Sequence, residues 1–283
     1  MSSRELRRFP LTRPIAFAVL LFLYLPMLIV IGMSFNVGQS ALIWDGFGIR
    51  GYVEAWSDPT LVRAAKNSLL LALASMVLST TLATSAAVAW WSRSDRRGFD
   101  PAGLLIALPL AIPEIVLAIA TMMLFSMFGT ESAFGVVLFA HVVFCVPLAY
   151  LPIKARLKRI DRTLLEAAAD LSATPWAAFR HITLPLALPG IVAGALLSFV
   201  ASMNDYVTSY FLAGAGMTTL PMYIFSAMKI GITPKVSAVS TVVIGLSSVQ
   251  LIAVWLIGAR GKKRSTPTQS EIHHANLQAI GTV

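Results

Sequence analysis

Charge is scarce in this 283-residue chain: Asp, Glu, Lys and Arg make up only 12% of it, against 57% hydrophobic residues. That balance excludes an ordinary water-soluble domain, because a chain of this length cannot bury so much apolar surface in one solvated core. Lipid must be the solvent for much of it. The single cysteine, Cys145, excludes an intramolecular disulfide and sits in an apolar stretch as a packing residue. No Gly-x-x-x-x-Gly-Lys-Ser/Thr run occurs, so nucleotide binding in the P-loop manner is excluded; Gly261-Lys262-Lys263 lacks both the upstream glycine and the hydroxyl residue. Gly245-Leu246-Ser247-Ser248 lacks the last glycine of a nucleophile elbow and has no histidine nearby. Metal ligands are equally thin. His141 and Cys145 share a helical face but are only two, and the adjacent His273-His274 pair reads as solvated. The net charge of +9 does not point to nucleic acid, since the basic residues lie in short segments between apolar runs. No internal repeat is visible.

Long apolar runs are what the chain has. Six are long enough to cross a hydrocarbon core as helices, which takes about 20 residues each: approximately 14–35, 66–91, 102–127, 133–153, 186–212 and 236–258. The spacing predicts an all-α, polytopic membrane protein. Pro26, Pro109, Pro113 and Pro147 fall inside these runs, where neighbouring helices can satisfy the freed carbonyls. The first run follows Arg4, Arg7, Arg8 and Arg13; it is longer than a signal-peptide core and no small-residue cleavage site follows, so it reads as a retained span.

Orientation follows from Lys and Arg. The N-terminal tail (1–13) holds four, the 92–101 loop three, the 154–185 loop six and the C-terminal tail (259–283) four, against five in the segments on the other side. Both termini and the 154–185 loop are therefore expected on the cytoplasmic side, as an even number of spans requires. The polar tail beyond Arg264 lacks apolar periodicity and is expected to be dispensable for the fold of the transmembrane core at 14–258.

The 154–185 loop holds an unusual segment. Thr163-Leu164-Leu165-Glu166 has the form of a capping box, and the helix it opens runs through Ala167, Ala168, Ala169 and Asp170 to Leu171. Ser172-Ala173 interrupts it. Thr174-Pro175 then starts a second short helix, with Thr as N-cap and proline at the first helical position. Trp176, Phe179 and Ile182 are spaced three apart on one face. Two short amphipathic helices with a bend between them suit either a surface loop or the docking of a soluble partner.

The motif here is Glu166-Ala167-Ala168, three residues, Ser172, nine residues, Ile182-x-Leu184-Pro185. It resembles the cytoplasmic signature of permease subunits of bacterial ABC importers, which has glycine where Ser172 stands. The resemblance implies a type I importer fold of six spans in the bacterial inner membrane, with this segment as the coupling helices that enter a cleft on an ATPase subunit. It also implies a paired permease, two cytoplasmic ATPases that bind ATP and magnesium, and an extracytoplasmic substrate-binding protein; the chain itself would bind no cofactor and catalyse nothing. A serine in the left-handed turn costs roughly 1–2 kcal/mol relative to glycine, so the bend is expected to differ in geometry or to be less stable.

Tyr24-Leu25-Pro26, Ser34-Phe35-Asn36, Asn67-Ser68-Leu69, Pro109-x-x-x-Pro113-Glu114 and Ser202-Met203-Asn204-Asp205 are similar to the spermidine/putrescine branch, specifically its second permease. Asn204-Asp205 replaces a usual pair of aspartates, which leaves opines and other amine conjugates open as cargo. Glu114 and Asp205 are the two acids expected within spans, where a carboxylate must face protein or a water-filled path. Asp205 suits a cationic amine, with Tyr206 and Tyr210 expected on the same helix to add cation–π attraction; Asn204 and Glu114 complete the expected pathway set. The structural alternative is that each carboxyl bonds a neighbouring helix or a kinked backbone. Gly190-x-x-x-Gly194 with Ser198 reads as a close-packing face. A rival function, an ion-coupled transporter titrating Glu114 and Asp205, leaves the 166–185 segment unexplained. A second rival, a membrane scaffold, predicts partner binding without flux.

Overall fold

The computed structural model describes residues 12–41, 43–93, 101–129, 134–214 and 216–263. The expectations on Arg4, Arg7 and Arg8, on Arg96 and Arg97, and on the His273-His274 tail lie outside these residues. Among the described residues the regular structure is helical apart from one isolated bridge, Asn36 to Phe47. The helices are α1 (Thr12–Met33), α2 (Arg50–Ser57), α3 (Pro59–Arg93), α4 (Pro101–Ala111), α5 (Glu114–Met127), α6 (Phe134–Leu157), α7 (Thr163–Asp170), α8 (Pro175–Ala178), α9 (Leu184–Asn204), α10 (Val207–Leu212), α11 (Leu220–Ile230) and α12 (Pro234–Lys263). Among the described residues five helices are long and apolar enough to cross a membrane, and α4 with α5 makes a sixth crossing if the bent pair counts as one.

Three expected spans differ in form. The run at 102–127 is two helices bent by 99°, not one. Pro113 is the cause: it has no N–H to continue the ladder, and its ring disfavours helical geometry at Ile112. Its carbonyl instead accepts from Val116 and Leu117 at 2.9 and 3.2 Å and starts α5. The run at 186–212 is broken at Asp205, which is extended (ψ 120°), so Asp205 and Tyr206 lie between helices and only Tyr210 is on α10. The fourth span continues to Leu157, past the expected end at 153.

The chain forms two compact units. In the unit built from residues up to Leu70 and Ala213–Ser247, the loops 36–65 and 213–235 are tied together. Asp58 Oδ2 accepts from Lys235 Nζ at 2.9 Å and Tyr223 Oη at 2.7 Å, while Asp58 Oδ1 accepts the Thr60 and Leu61 amides and caps α3. Lys235, with Tyr223 next to it, holds the Asp58 carboxyl well below the usual carboxylate range. Asn67 Nδ2 donates to the Gly216 and Thr218 carbonyls, and Ser68 Oγ accepts from the Leu220 amide at 2.7 Å. Asn36 folds its own loop, donating to Ser40 and Ile43 carbonyls and accepting from Gly38 and Asp45 amides.

In the unit of Leu71–Leu212 and the segment from Ser248, α6 packs along α9. The Gly190/Gly194 face permits it: a Cβ on Gly194 would lie 2.7 Å from the Ala149 carbonyl oxygen, and one on Gly190 2.6 Å from Arg156 Cβ. Ser198 Oγ donates across this seam to the Cys145 carbonyl at 3.2 Å. Ala83, Ala87, Trp91, Tyr150, Ile153 and Leu157 belong to the apolar core beneath the 154–185 loop.

Candidate functional site

The loop between α6 and α9 is anchored by the basic residues that fix its expected orientation. Lys154 Nζ lies 4.5 Å from the Trp90 ring centroid, Arg162 donates to the Trp91 carbonyl at 2.7 Å, and Arg156 Nε donates to the Leu186 carbonyl at 2.8 Å. Charge and aromatic packing together hold the loop to the end of α3.

The expected capping box at Thr163 is not formed. The Glu166 amide bonds the Arg162 carbonyl at 3.1 Å, so Thr163 is the first helical residue and its amide is taken by Asp161 Oδ1 at 3.0 Å. At the other end of α7, Ser172 has φ +58°, and among the described residues it is the one non-glycine in the left-handed region. The Ala173 amide donates to the Ala168 carbonyl at 2.9 Å and the Ser172 amide to the Ala169 carbonyl at 2.8 Å. Those two bonds are a Schellman turn. The turn therefore keeps the geometry glycine would give, and the strain sits on the serine.

Thr174 caps α8 as expected: its Oγ1 accepts from the Ala177 amide at 3.3 Å, with Pro175 at the first helical position. The Trp176 and Phe179 rings pack at 5.5 Å. The second helix is not a separate short one, however. It passes through a π-helical turn, Phe179–Thr183, directly into α9. Pro185 accounts for the wide turn. It lacks the N–H that a regular helix would direct at the His181 carbonyl, and its ring needs room there. Ile182 and Leu184 are half-buried and Pro185 exposed. Glu166, Ala167, Asp170, Leu171, Ser172, Thr174 and Trp176 are exposed, Leu171 84% and Trp176 66%; Ala168 faces inward. A cavity of about 530 Å³ lies beside them, lined by Trp91, Leu165, Ala169, Trp176 and Phe179 among others.

The expected pathway residues separate into two groups. Asp205 and Glu114 are neighbours: the Glu114 carboxyl, at the first residue of α5, lies beside that of Asp205. Asp205 is buried, its side chain 3% exposed. Its Oδ1 accepts from the Thr208 amide at 3.1 Å, and its Oδ2 from the Ser209 amide at 3.0 Å, Ser209 Oγ at 3.3 Å and His141 Nε2 at 2.9 Å. His141, read from sequence as a packing residue, is the member sequence reasoning missed. Its Nδ1 lies 2.7 Å from Ser202 Oγ. Asn204, Tyr206 and Tyr210 are not in this cluster. Asn204 and Tyr210 are exposed, and the Tyr206 and Tyr210 rings pack at 5.4 Å.

A long helical chain of broken and unbroken spans with an exposed helix–turn–helix between the fourth and fifth is matched by one family model. Residues 79–262 fit that of the binding-protein-dependent transport system inner membrane component. The chain belongs to this family. It is a permease subunit of an ABC importer. The spermidine/putrescine transport system permease protein PotC of Escherichia coli (strain K12) is 36% identical over 249 residues, covering 88% of this chain and 94% of that one. The putrescine transport system permease protein PotI of the same strain is 33% identical, covering 86% and 89%. Among solved structures, a bacterial ABC transporter involved in import of the acidic polysaccharide alginate superimposes with a TM-score of 0.64 at 17% identity, over 92% of this chain and 98% of that one. The all-helical fold agrees with that expected from the spans, and the importer-permease family with that implied by the resemblance of the 166–185 motif.

Proposed function

We propose that this permease forms half of a membrane pore with a second permease, and that two cytoplasmic ATPases, which bind ATP and magnesium, drive it. A binding protein outside delivers the cargo, which is spermidine, putrescine or a related amine. Both termini lie in the cytoplasm of a bacterium and the chain sits in its inner membrane. The observation that carries the reading is the exposed surface from Glu166 to Trp176, ordered by a strained Schellman turn and built from polar and small residues with two protruding apolar ones, Leu171 and Trp176. A strained turn persists where the surroundings over-determine it, and such strain collects at functional sites. Closure of the ATPases displaces α7 and α8; because α8 runs unbroken into α9, the displacement reaches the fifth span as the movement of one rod. The amine cargo follows from the relatives' substrates, and the paired Tyr206 and Tyr210 rings suit a passing ammonium group.

The test is uptake of labelled putrescine and spermidine into cells carrying the whole importer as their one polyamine system. Uptake is expected to vanish when the ATPase subunit's P-loop lysine is replaced and to persist with an uncoupler while ATP is maintained. Uptake that ignores the ATPase variant and collapses with the uncoupler overturns the reading in favour of ion coupling. ATPase binding with no uptake overturns it in favour of a scaffold.

A further inference from the structure

The break in the fifth span has no backbone breaker in it: Met203-Asn204-Asp205-Tyr206-Val207 contains neither proline nor glycine. What ends α9 and restarts the chain as α10 is the Asp205 side chain, which takes the amides of Thr208 and Ser209. A buried carboxyl holds that position only when its remaining lone pairs are met. They are met by Ser209 and, from another helix, by His141 on α6, while the Glu114 carboxyl on α5, beyond the Pro113 bend, lies beside them. His141 is itself fixed from its other ring nitrogen by Ser202 on α9. The two broken spans thus come together at one buried polar point, and the imidazole, 1% exposed, spans from one side of the break to the other.

We propose that His141 is a positioning residue of the transport path: by bonding Asp205 it maintains the break, and the break sets the direction in which α10 presents Tyr210, packed against Tyr206, to the cargo. The proposal rests on the importer reading above for its consequence in transport, and on geometry alone for its consequence in structure. Asp205 on this account orients the path and does not receive cargo.

Glutamine and asparagine at 141 separate the role from mere packing, because Gln carries its amide N–H near the place of Nε2 and Asn near that of Nδ1. In the complete importer, with membrane levels measured by immunoblot, His141→Gln is expected to retain uptake per copy within about threefold and His141→Asn to lose about tenfold or more, the loss of one buried charge-assisted hydrogen bond. A second readout needs no transport. Tyr210→Cys is labelled by a membrane-impermeant maleimide, and its rate is expected to be kept with His141→Gln and altered about fivefold or more with His141→Asn, from the same bond. Equal behaviour of the two substitutions in both readouts overturns the proposal, as does a parallel loss of both from the membrane. If the Asn form alone fails to reach the membrane, Ser202→Ala replaces it, since it releases the ring without touching Asp205; unchanged labelling there overturns the proposal. No polyamine uptake by the unaltered importer would instead strike the cargo reading, with the labelling result still deciding the role of His141.

Discussion

The Ala173 amide donates to the Ala168 carbonyl at 2.9 Å across Ser172, whose φ is +58°. The serine thus adopts the backbone conformation that glycine takes without a Cβ clash. Ser172→Gly is expected to stabilise the permease by about 1 kcal/mol, offset in part by the freer unfolded chain. Uptake should be retained and the thermal midpoint of the detergent-solubilised protein should rise slightly. Ser172→Val places a β-branched residue there and should lower both. A Gly form less stable than the parent would mean the serine hydroxyl contributes more than the turn costs.

Glu166 lies exposed on α7, two residues before the inward-facing Ala168. Reversal of its charge in Glu166→Lys should abolish uptake by the importer while insertion and membrane level stay normal. Co-purification with the ATPase subunit reports the step directly. Normal uptake by this variant would remove Glu166 from the coupling surface.

Asp58 is held by Lys235 and Tyr223 at the elbow between α2 and α3. Its native pKa is depressed, so its contribution is fully present above the unfolded carboxyl value of about 3.9 and is lost as pH falls through the lower native value. Asp58→Asn should cost about 1 kcal/mol after solvent screening. The difference in thermal midpoint between parent and variant should be constant from about pH 5 to 8 and shrink only in stronger acid. A difference that grew as pH fell would contradict the assignment.

Gly194 leaves no room for a side chain against Ala149. Gly194→Val should separate α6 from α9 and destabilise by about 1–3 kcal/mol, read as loss of full-length protein from the membrane. Normal levels would show that the seam can relax.

Asp205→Asn keeps volume but replaces one acceptor oxygen with a donor that faces either the Thr208 amide or the Ser209 amide and His141. Uptake of cationic amines should fall about tenfold at equal membrane level, as for any buried polar group left mispaired. Unchanged kinetics would remove Asp205 from the path in either role.

Much of this was legible beforehand, for local reasons. The apolar runs locate the spans because length and hydrophobicity alone decide what lipid will solvate. The Thr174 cap, the Pro175 start and the glycine face of α9 are i to i+3 or i+4 relations that a linear pattern carries. The failures are local rules overruled by a competitor a few residues away. At Thr163 the cap lost because Asp161 took its amide and Arg162 took that of Glu166. At 102–127, Pro113 was visible, but whether a neighbour would absorb the freed carbonyls or the chain would bend by 99° was not.

The sequence by itself determined the solvent, the fold class and the family motif, since each depends on composition or short spacing. Only the tertiary structure decided which groups Asp205 meets. An acid in an apolar run can face a path or lock a bend, and the difference is set by who meets its lone pairs. Its partners His141 and Glu114 come from 64 and 91 positions away, distances over which no periodic pattern signals contact. Burial makes the His141 bond obligatory, and so gathers scattered polar residues at one break in a membrane helix.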